Sequence, residues 1–227
     1  MIPIFFSQPS EASSKSPNTP AEIRQLWLWL ALAVLLAAAF FFDRAVMIYL
    51  LPIRKAGYDD ILRATIRKLG MGHIQAMALI ILLATGWLLR RRPLIAAGFA
   101  ALGALLITSF TTTMLKVLIH RSRPWNKLPE AASWYDGFQQ ALHNNQFCSF
   151  PSGESACTFA IVMALGAFFP KLRLPLIILA VLISAARVLA GDHFPSDVIA
   201  GIIIGLLLGR FAAHTVQRSA FSVERKT

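Results

Sequence analysis

Residues 90–124 read RRRPLIAAGFAALGALLITSFTTTMLKVLIHRSRP: a triple-arginine tip, a long apolar run, and a basic close at Lys116, Arg123 and Pro124. Pro93 restarts a helix after the tip, and the apolar residues continue through Phe110 to Leu115. That is enough to cross a hydrocarbon core of about 30 Å. The preceding run, Ile74–Leu89, is a second span. Together they form a helical hairpin with its arginines held at one membrane face, and this sets the fold class.

Working outward, Leu26–Phe42 is the first span, ended by Asp43-Arg44, while Ser155–Phe169, Leu174–Ala190 and Val198–Ala213 supply the last three. The expectation is an all-α, six-transmembrane helix bundle over residues 24–214. Between the first two spans, Asp59, Asp60, Arg63, Arg67 and Lys68 alternate at helical spacing with Ile61, Leu62, Thr65, Ile66 and Leu69. This predicts an amphipathic helix at the interface, although a solvated connector with one packed face fits the same pattern. Residues 1–23 are polar and rich in Ser and Pro, and read as a disordered cytoplasmic tail; residues 215–227 form a second tail. Gly201, Gly205 and Gly209 recur every four residues, a spacing that lets a neighbouring backbone approach closely.

Composition agrees. Hydrophobic residues make up 56% of the chain and mean hydropathy is +0.61, well beyond a soluble domain. The 22 Lys+Arg against 11 Asp+Glu sit at the ends of apolar runs and not along a polar stripe, so the excess points to lipid head groups and the bilayer rather than nucleic acid. Two cysteines, Cys148 and Cys157, make neither a disulfide framework nor a zinc pattern; a single bridge between them stays open. The N-terminal tail, Arg90–Arg92, Lys171, Arg173, Arg210, Arg218, Arg225 and Lys226 fall on one side, which the positive-inside rule makes cytoplasmic. Arg44, Arg54, Lys55, Arg63, Arg67 and Lys68 count on the other side, with less weight if they lie on an interfacial helix. Trp125, Trp134, Tyr135 and Phe138 suit anchoring at head groups or shaping of substrate entry.

The chemistry lies where spans end. Lys116, Arg123 and Arg187 are three cations at such ends, and guanidinium forks match phosphate oxygens. Singly, each is equally a snorkelling residue. Ser152 and Gly153 follow Pro151 at the start of a span, where backbone amides and a hydroxyl cradle an anion or simply cap a helix. His193 is the candidate nucleophile, able to split one hard displacement into two steps through a phosphohistidine. Asp197, four residues on and behind Pro195 at a helix start, is placed to orient the ring. His73, His120, His143 and His214 lack such a partner and read as structural.

Taken together, Lys116-x6-Arg123-Pro124, Pro151-Ser152-Gly153 and Arg187-x5-His193-x3-Asp197 resemble the three-part signature of the type-2 phosphatidic acid phosphatase superfamily, which includes bacterial acid phosphatases and vanadium haloperoxidases. The resemblance implies a phosphatase with no metal and no other cofactor. In it, His193 attacks, Asp197 orients, and Lys116, Arg123, Arg187, Ser152 and Gly153 bind the phosphoryl group. The chain departs from the family at two positions. Ala186 stands where the family usually has Ser, and Glu154 where it has the His that protonates the leaving group. A carboxylate beside a phosphate donates nothing unless it stays protonated, and general-acid help is worth about 10²–10⁴-fold. A substrate with a good leaving group, such as an anomeric phosphate or a diphosphate, tolerates that change best.

The segment Cys148–Glu154 is also loosely similar to bacterial lipid A phosphatases. The expected function is therefore a membrane lipid phosphatase of the bacterial inner membrane, its site facing the periplasm, acting on lipid A or undecaprenyl diphosphate. Phosphatidylglycerol phosphate or phosphatidate stands behind. A lipid phosphotransferase would share the intermediate, a haloperoxidase the oxyanion site, and a transporter or scramblase only the architecture.

Overall fold

The computed structural model describes residues 20–55, 60–125 and 148–224, with no strand among them. Most of the expected N-terminal tail, the segment holding Trp134, Tyr135, Phe138 and His143, and Arg225 and Lys226 lie outside the described residues. The helices are α1 (Pro20–Lys55), α2 (Asp60–Leu69), α3 (Gly72–Leu88), α4 (Arg92–Ile119), α5 (Gly153–Phe168), α6 (Arg173–Leu189) and α7 (Pro195–Glu224), with a 3-10 turn at Pro170–Leu172.

Among the described residues, four stretches are long and apolar enough to cross a membrane: Ile23–Leu50, Arg92–Ile119, Pro170–Leu189 and Pro195–Ser219. Gly72–Leu88 and Gly153–Phe168 are apolar but shorter, at 17 and 16 residues. Phe41, Trp87, Phe110 and Leu118 are exposed on the outer faces. A surface of that kind is stable only against lipid, and the protein is an integral membrane protein.

Helix α1 departs from the sequence reading. Asp43-Arg44 does not end the first span; the helix runs through it to Lys55, and the expected interfacial segment shrinks to α2. A charge ends a span when it must reach water. Asp43 need not, because it is 3% exposed and ion-paired with Arg121 inside the bundle.

Helices α4, α5 and α7 form the centre, with α3 against α4, α6 against α5 and α1 against α7. Their shared core is mostly alanine: Ala100, Ala101, Ala104, Ala160, Ala164 and Ala212, with Leu79, Leu105 and Cys157 between them. Lipid tails are as apolar as leucine, so helices in a membrane gain by close packing of small residues and not by expelling water. The glycine stripe of α7 shows this directly, since a Cβ on Gly201, Gly205 or Gly209 would run into the backbone oxygen of Ser152 at the cap of α5, or of Ala156 or Ala160 within it. Gly205→Val is expected to push α5 off α7 and cost roughly 1–3 kcal/mol or more, read as a lower thermal midpoint in detergent. Gly103→Ala is the control, because nothing lies within 4 Å of a Cβ there.

This packing gathers the end of α4, the start of α5, the end of α6 and the start of α7 at one end of the bundle. Arg90–Arg92, Lys171 and Arg173 lie at the other ends of the same helices.

Candidate active site

Helix α4 delivers Lys116 in its last turn. The helix then stops at His120, which takes the left-handed conformation (φ 54°) and returns its N–H to the Lys116 carbonyl at 3.1 Å. From there the chain runs through Arg121, Ser122 and Arg123. Arg123 Nη1 donates to the Asp192 carbonyl at 3.2 Å, tying the α4 exit to the α6–α7 connection.

That connection is built on Gly191. Its φ of 73° is a conformation side chains rarely adopt, and it turns the chain so that the N–H groups of Asp192 and His193 reach back to the Arg187 carbonyl at 3.0 and 3.4 Å. The turn fixes His193 relative to Arg187. Arg187, buried, is held by the Glu154 carboxylate on Nε, by Asp192 Oδ2 at 3.3 Å from Nη1, and by the Arg67 carbonyl of α2 at 2.9 Å from Nη2. Arg67 itself pairs through Nε with Asp192 Oδ2 at 3.2 Å.

His193 Nδ1 lies 2.7 Å from the Ser149 carbonyl. A carbonyl only accepts, so Nδ1 carries the proton and Nε2 keeps its lone pair. Asp197 is the looser partner of the ring, its Oδ2 at 3.6 Å. The i,i+4 spacing suggested a direct bond, but Asp197 is the third residue of α7 and accepts the N–H of Phe194 at 2.8 Å, a capping arrangement that turns the carboxylate toward its own helix start. Burial first, then the Lys116 and Arg123 cations, hold the His193 imidazole below its ordinary value against the opposing pull of Asp197. A ring so held is neutral at pH 7, the state in which an imidazole can act as a nucleophile.

Lys116, Arg123, Gly153, Glu154, Arg187 and His193 all line one cavity of about 290 Å³, joined by Arg67 and Asp192. Ser109, Thr112 and Thr113 of α4 and Cys157 of α5 extend it beyond the cations. Gly153 leaves room for Lys116, whose Nζ would lie 3.4 Å from a Cβ at that position. No disulfide joins Cys148 and Cys157.

Ser152 is the exception among the expected phosphate ligands. It is fully buried and absent from the cavity wall, with its hydroxyl capping α5 at the Ser155 N–H (3.4 Å) and its own N–H donating to the Asp197 carbonyl (2.9 Å). A serine at the N-cap serves the helix before any ligand. Conversely, Asp43, Arg67, Arg121, Ser149, Asp192 and Ser196 were not picked out by spacing. Arg121 lies within the gap between Lys116 and Arg123, and Asp43 was read as a helix terminator.

The PAP2 superfamily model matches residues 97–221. The lipid A 1-phosphatase of Rhizobium johnstonii is 42% identical over 62 residues, 27% of this chain and 25% of that protein. The Rhizobium etli enzyme of the same name is 44% identical over 59 residues, 26% and 25%. Phosphatidylglycerophosphatase B of Bacillus subtilis is 33% identical over 110 residues, 42% and 46%. The chain thus spans about a quarter of the length of the rhizobial relatives and under half of the Bacillus one.

Among solved structures, LpxE of Aquifex aeolicus superposes with a TM-score of 0.54 at 23% identity, over 73% of this chain and 93% of that one. The first transmembrane PAP2 type phosphatidylglycerolphosphate phosphatase from Bacillus subtilis gives 0.61 at 23% identity, over 85% and 96%. At such identity both likenesses speak to the fold. With that fold, a cavity walled by residues of all three motifs, and a family match running over more than half of the chain, this protein belongs to the PAP2 superfamily.

Proposed function

We propose that this protein is a lipid phosphatase of the bacterial inner membrane that hydrolyses a lipid phosphomonoester or diphosphate through a phosphohistidine. The observation that carries the reading is the meeting of Lys116, Arg123 and Arg187 with the neutral His193 in one cavity. Three cations neutralise a phosphate dianion and the charge that develops as it transfers. Gly153 and Glu154 add the start of α5, where helix amides have no intrahelical acceptor.

In the first step, His193 Nε2 attacks phosphorus, the bond to the lipid oxygen breaks, and the leaving oxygen takes a proton from Glu154. Water then attacks the phosphohistidine, giving its proton to Glu154, and inorganic phosphate leaves with the ring restored. Before substrate arrives, Glu154 rests on Arg187. A phosphate monoanion competes for the same guanidinium, and the displaced Glu154 carboxylate takes that anion's proton, which it then gives to the leaving oxygen.

In the membrane, the four long helices and the shorter α3 and α5 make six spans, and α2 lies at the interface beside the site. The basic turns at Arg90–Arg92 and Lys171–Arg173 face the cytoplasm and the cavity faces the periplasm. An envelope lipid with a good leaving group, such as lipid A at its anomeric phosphate or undecaprenyl diphosphate, fits the Glu154 replacement, and the names of the rhizobial relatives support the first. The longer Bacillus match favours phosphatidylglycerol phosphate as the second reading.

A phosphate-release panel in detergent over lipid A, undecaprenyl diphosphate, phosphatidylglycerol phosphate and phosphatidate separates these readings. No release from any of the four would sink the proposal, and labelled phosphate passed to an acceptor lipid would make the protein a transferase. The pH profile is a further check. The nucleophile must be unprotonated, and its value is depressed, so activity is expected to persist below about pH 6.5, the ordinary imidazole value, before falling. Glu154→Gln is expected to lower turnover by about 10²-fold or more and remove the limb of the profile that titrates the acid; an unchanged rate and profile would exclude the acid role.

A further inference from the structure

Helix α1 lies outside the segment matched to the family, yet it brings a carboxylate to the back of the site. Asp43 Oδ2 accepts from Arg121 Nη2 at 2.6 Å and from the Ser196 hydroxyl, while Oδ1 accepts the Ser196 N–H at 2.9 Å. Arg121 Nη1 in turn donates to Asp197 Oδ1 and Ser196 Oγ, each at 2.6 Å. The rings of Phe194 and Phe40 stand 4.1 and 5.3 Å from the guanidinium carbon. The guanidinium is therefore gripped at its edge by two carboxylates, with aromatic rings beside it.

What this brace holds is the support of His193. With Oδ1 taken by Arg121, Asp197 turns Oδ2 to the Ser149 hydroxyl, the Phe194 N–H and, at 3.6 Å, the ring. Ser149 is held by that bond and by its N–H on the Arg121 carbonyl at 3.0 Å, and its own carbonyl receives the His193 Nδ1 proton.

We propose that Asp43 and Arg121 are positioning residues for phosphoryl transfer: the brace from α1 sets Asp197 and the Ser149 carbonyl, which aim His193 Nε2 at the bound phosphate. This rests on the reading of His193 as nucleophile. The plainer alternative is a staple joining α1 to the bundle. A buried ion pair is a poor staple, because desolvation offsets much of its attraction, and small residues join α7 to α5 here without charge. The charge count also has a use. Two carboxylates and one guanidinium leave one net negative charge behind a ring that turns cationic when Nε2 takes the phosphoryl group. Without Asp43, Arg121 would neutralise Asp197 alone and that charge would be gone.

Asp43→Asn keeps the side-chain shape and removes the charge. The full-length protein is assayed on whichever of the four panel lipids the wild type hydrolyses fastest, with inorganic phosphate as inhibitor and thermal unfolding in parallel. The expected result is a kcat lower by roughly 10–100-fold, with KM and phosphate inhibition within about threefold, because Lys116, Arg123 and Arg187 are untouched. A wild-type kcat in the folded variant, or a loss confined to KM or thermal midpoint, overturns the proposal. If Asp43→Asn does not fold, Arg121→Lys takes its place, since an ammonium cannot bridge both carboxylates as the fork does; the same kcat-selective loss supports the proposal and wild-type kcat overturns it. Failure of both variants to fold makes the pair structural and also overturns it. His193→Ala is run alongside. If it retains hydrolysis, the nucleophile reading falls; if it is dead while Asp43→Asn is normal, only the positioning role falls.

Discussion

Replacing His193 with alanine is expected to lower phosphate release by roughly 10³-fold or more, because the covalent step proposed here needs the imidazole that shares the cavity with Lys116, Arg123 and Arg187. Binding should survive. The cations proposed to neutralise the phosphate come from α4, its exit and α6, so KM should move far less than kcat. Stopping the wild-type reaction in alkali, where phosphohistidine persists, should show labelled protein, and His193→Ala should show none. Label retained in the variant would move the nucleophile elsewhere. Removing a buried ring also leaves the Ser149 carbonyl without its donor, so some loss of thermal stability accompanies the change.

The second large effect is expected at Arg187. Arg187→Ala should cost about 10²–10³-fold in kcat/KM, comparable to losing a preorganised donor at a developing charge. The structure gives a reason for the upper end. Arg187 holds both Glu154 and Asp192, and without it Glu154 loses its ion pair beside the incoming phosphate while Asp192 keeps Arg67. Arg187→Lys keeps the charge but cannot span the Glu154 carboxylate, Asp192 and the Arg67 carbonyl together, so recovery should be partial. Inhibition by inorganic phosphate reads the same interaction without chemistry. A wild-type inhibition constant in Arg187→Ala would remove Arg187 from the phosphate site.

Much of the candidate site's cavity wall was legible before any coordinates, and the reason is specific. Lys116, Arg123, Arg187 and His193 stand at the ends of apolar runs, where an ionisable residue is costly unless it has a task, and helices of fixed rise carry those ends to one face. The same logic misread Asp43. At the end of an apolar run a carboxylate resembles a terminator, and nothing along the chain announces that Arg121, 78 residues away, meets it inside the bundle. Ser152 was misplaced for a local reason. Its neighbours predict a helix start correctly, but whether a cap hydroxyl turns to its own helix or to a ligand is a question of a few ångströms.

Arg67 and Asp192 were hidden differently. Each is unremarkable in its own segment, and they matter because Gly70 lets α2 come close to α6, where a Cβ would meet Ile183 and crowd Arg187. The contact puts the Arg67 carbonyl on Arg187 and its side chain on the cavity wall.

From its residues alone this chain could be known as a helical membrane protein with cations gathered at one end, because hydrophobic length and the cost of buried charge act locally. Which carboxylate steadies which cation was decided only by the packed bundle. An ion pair depends on distance in space, and that distance is set by glycine and alanine contacts among helices far apart in the chain.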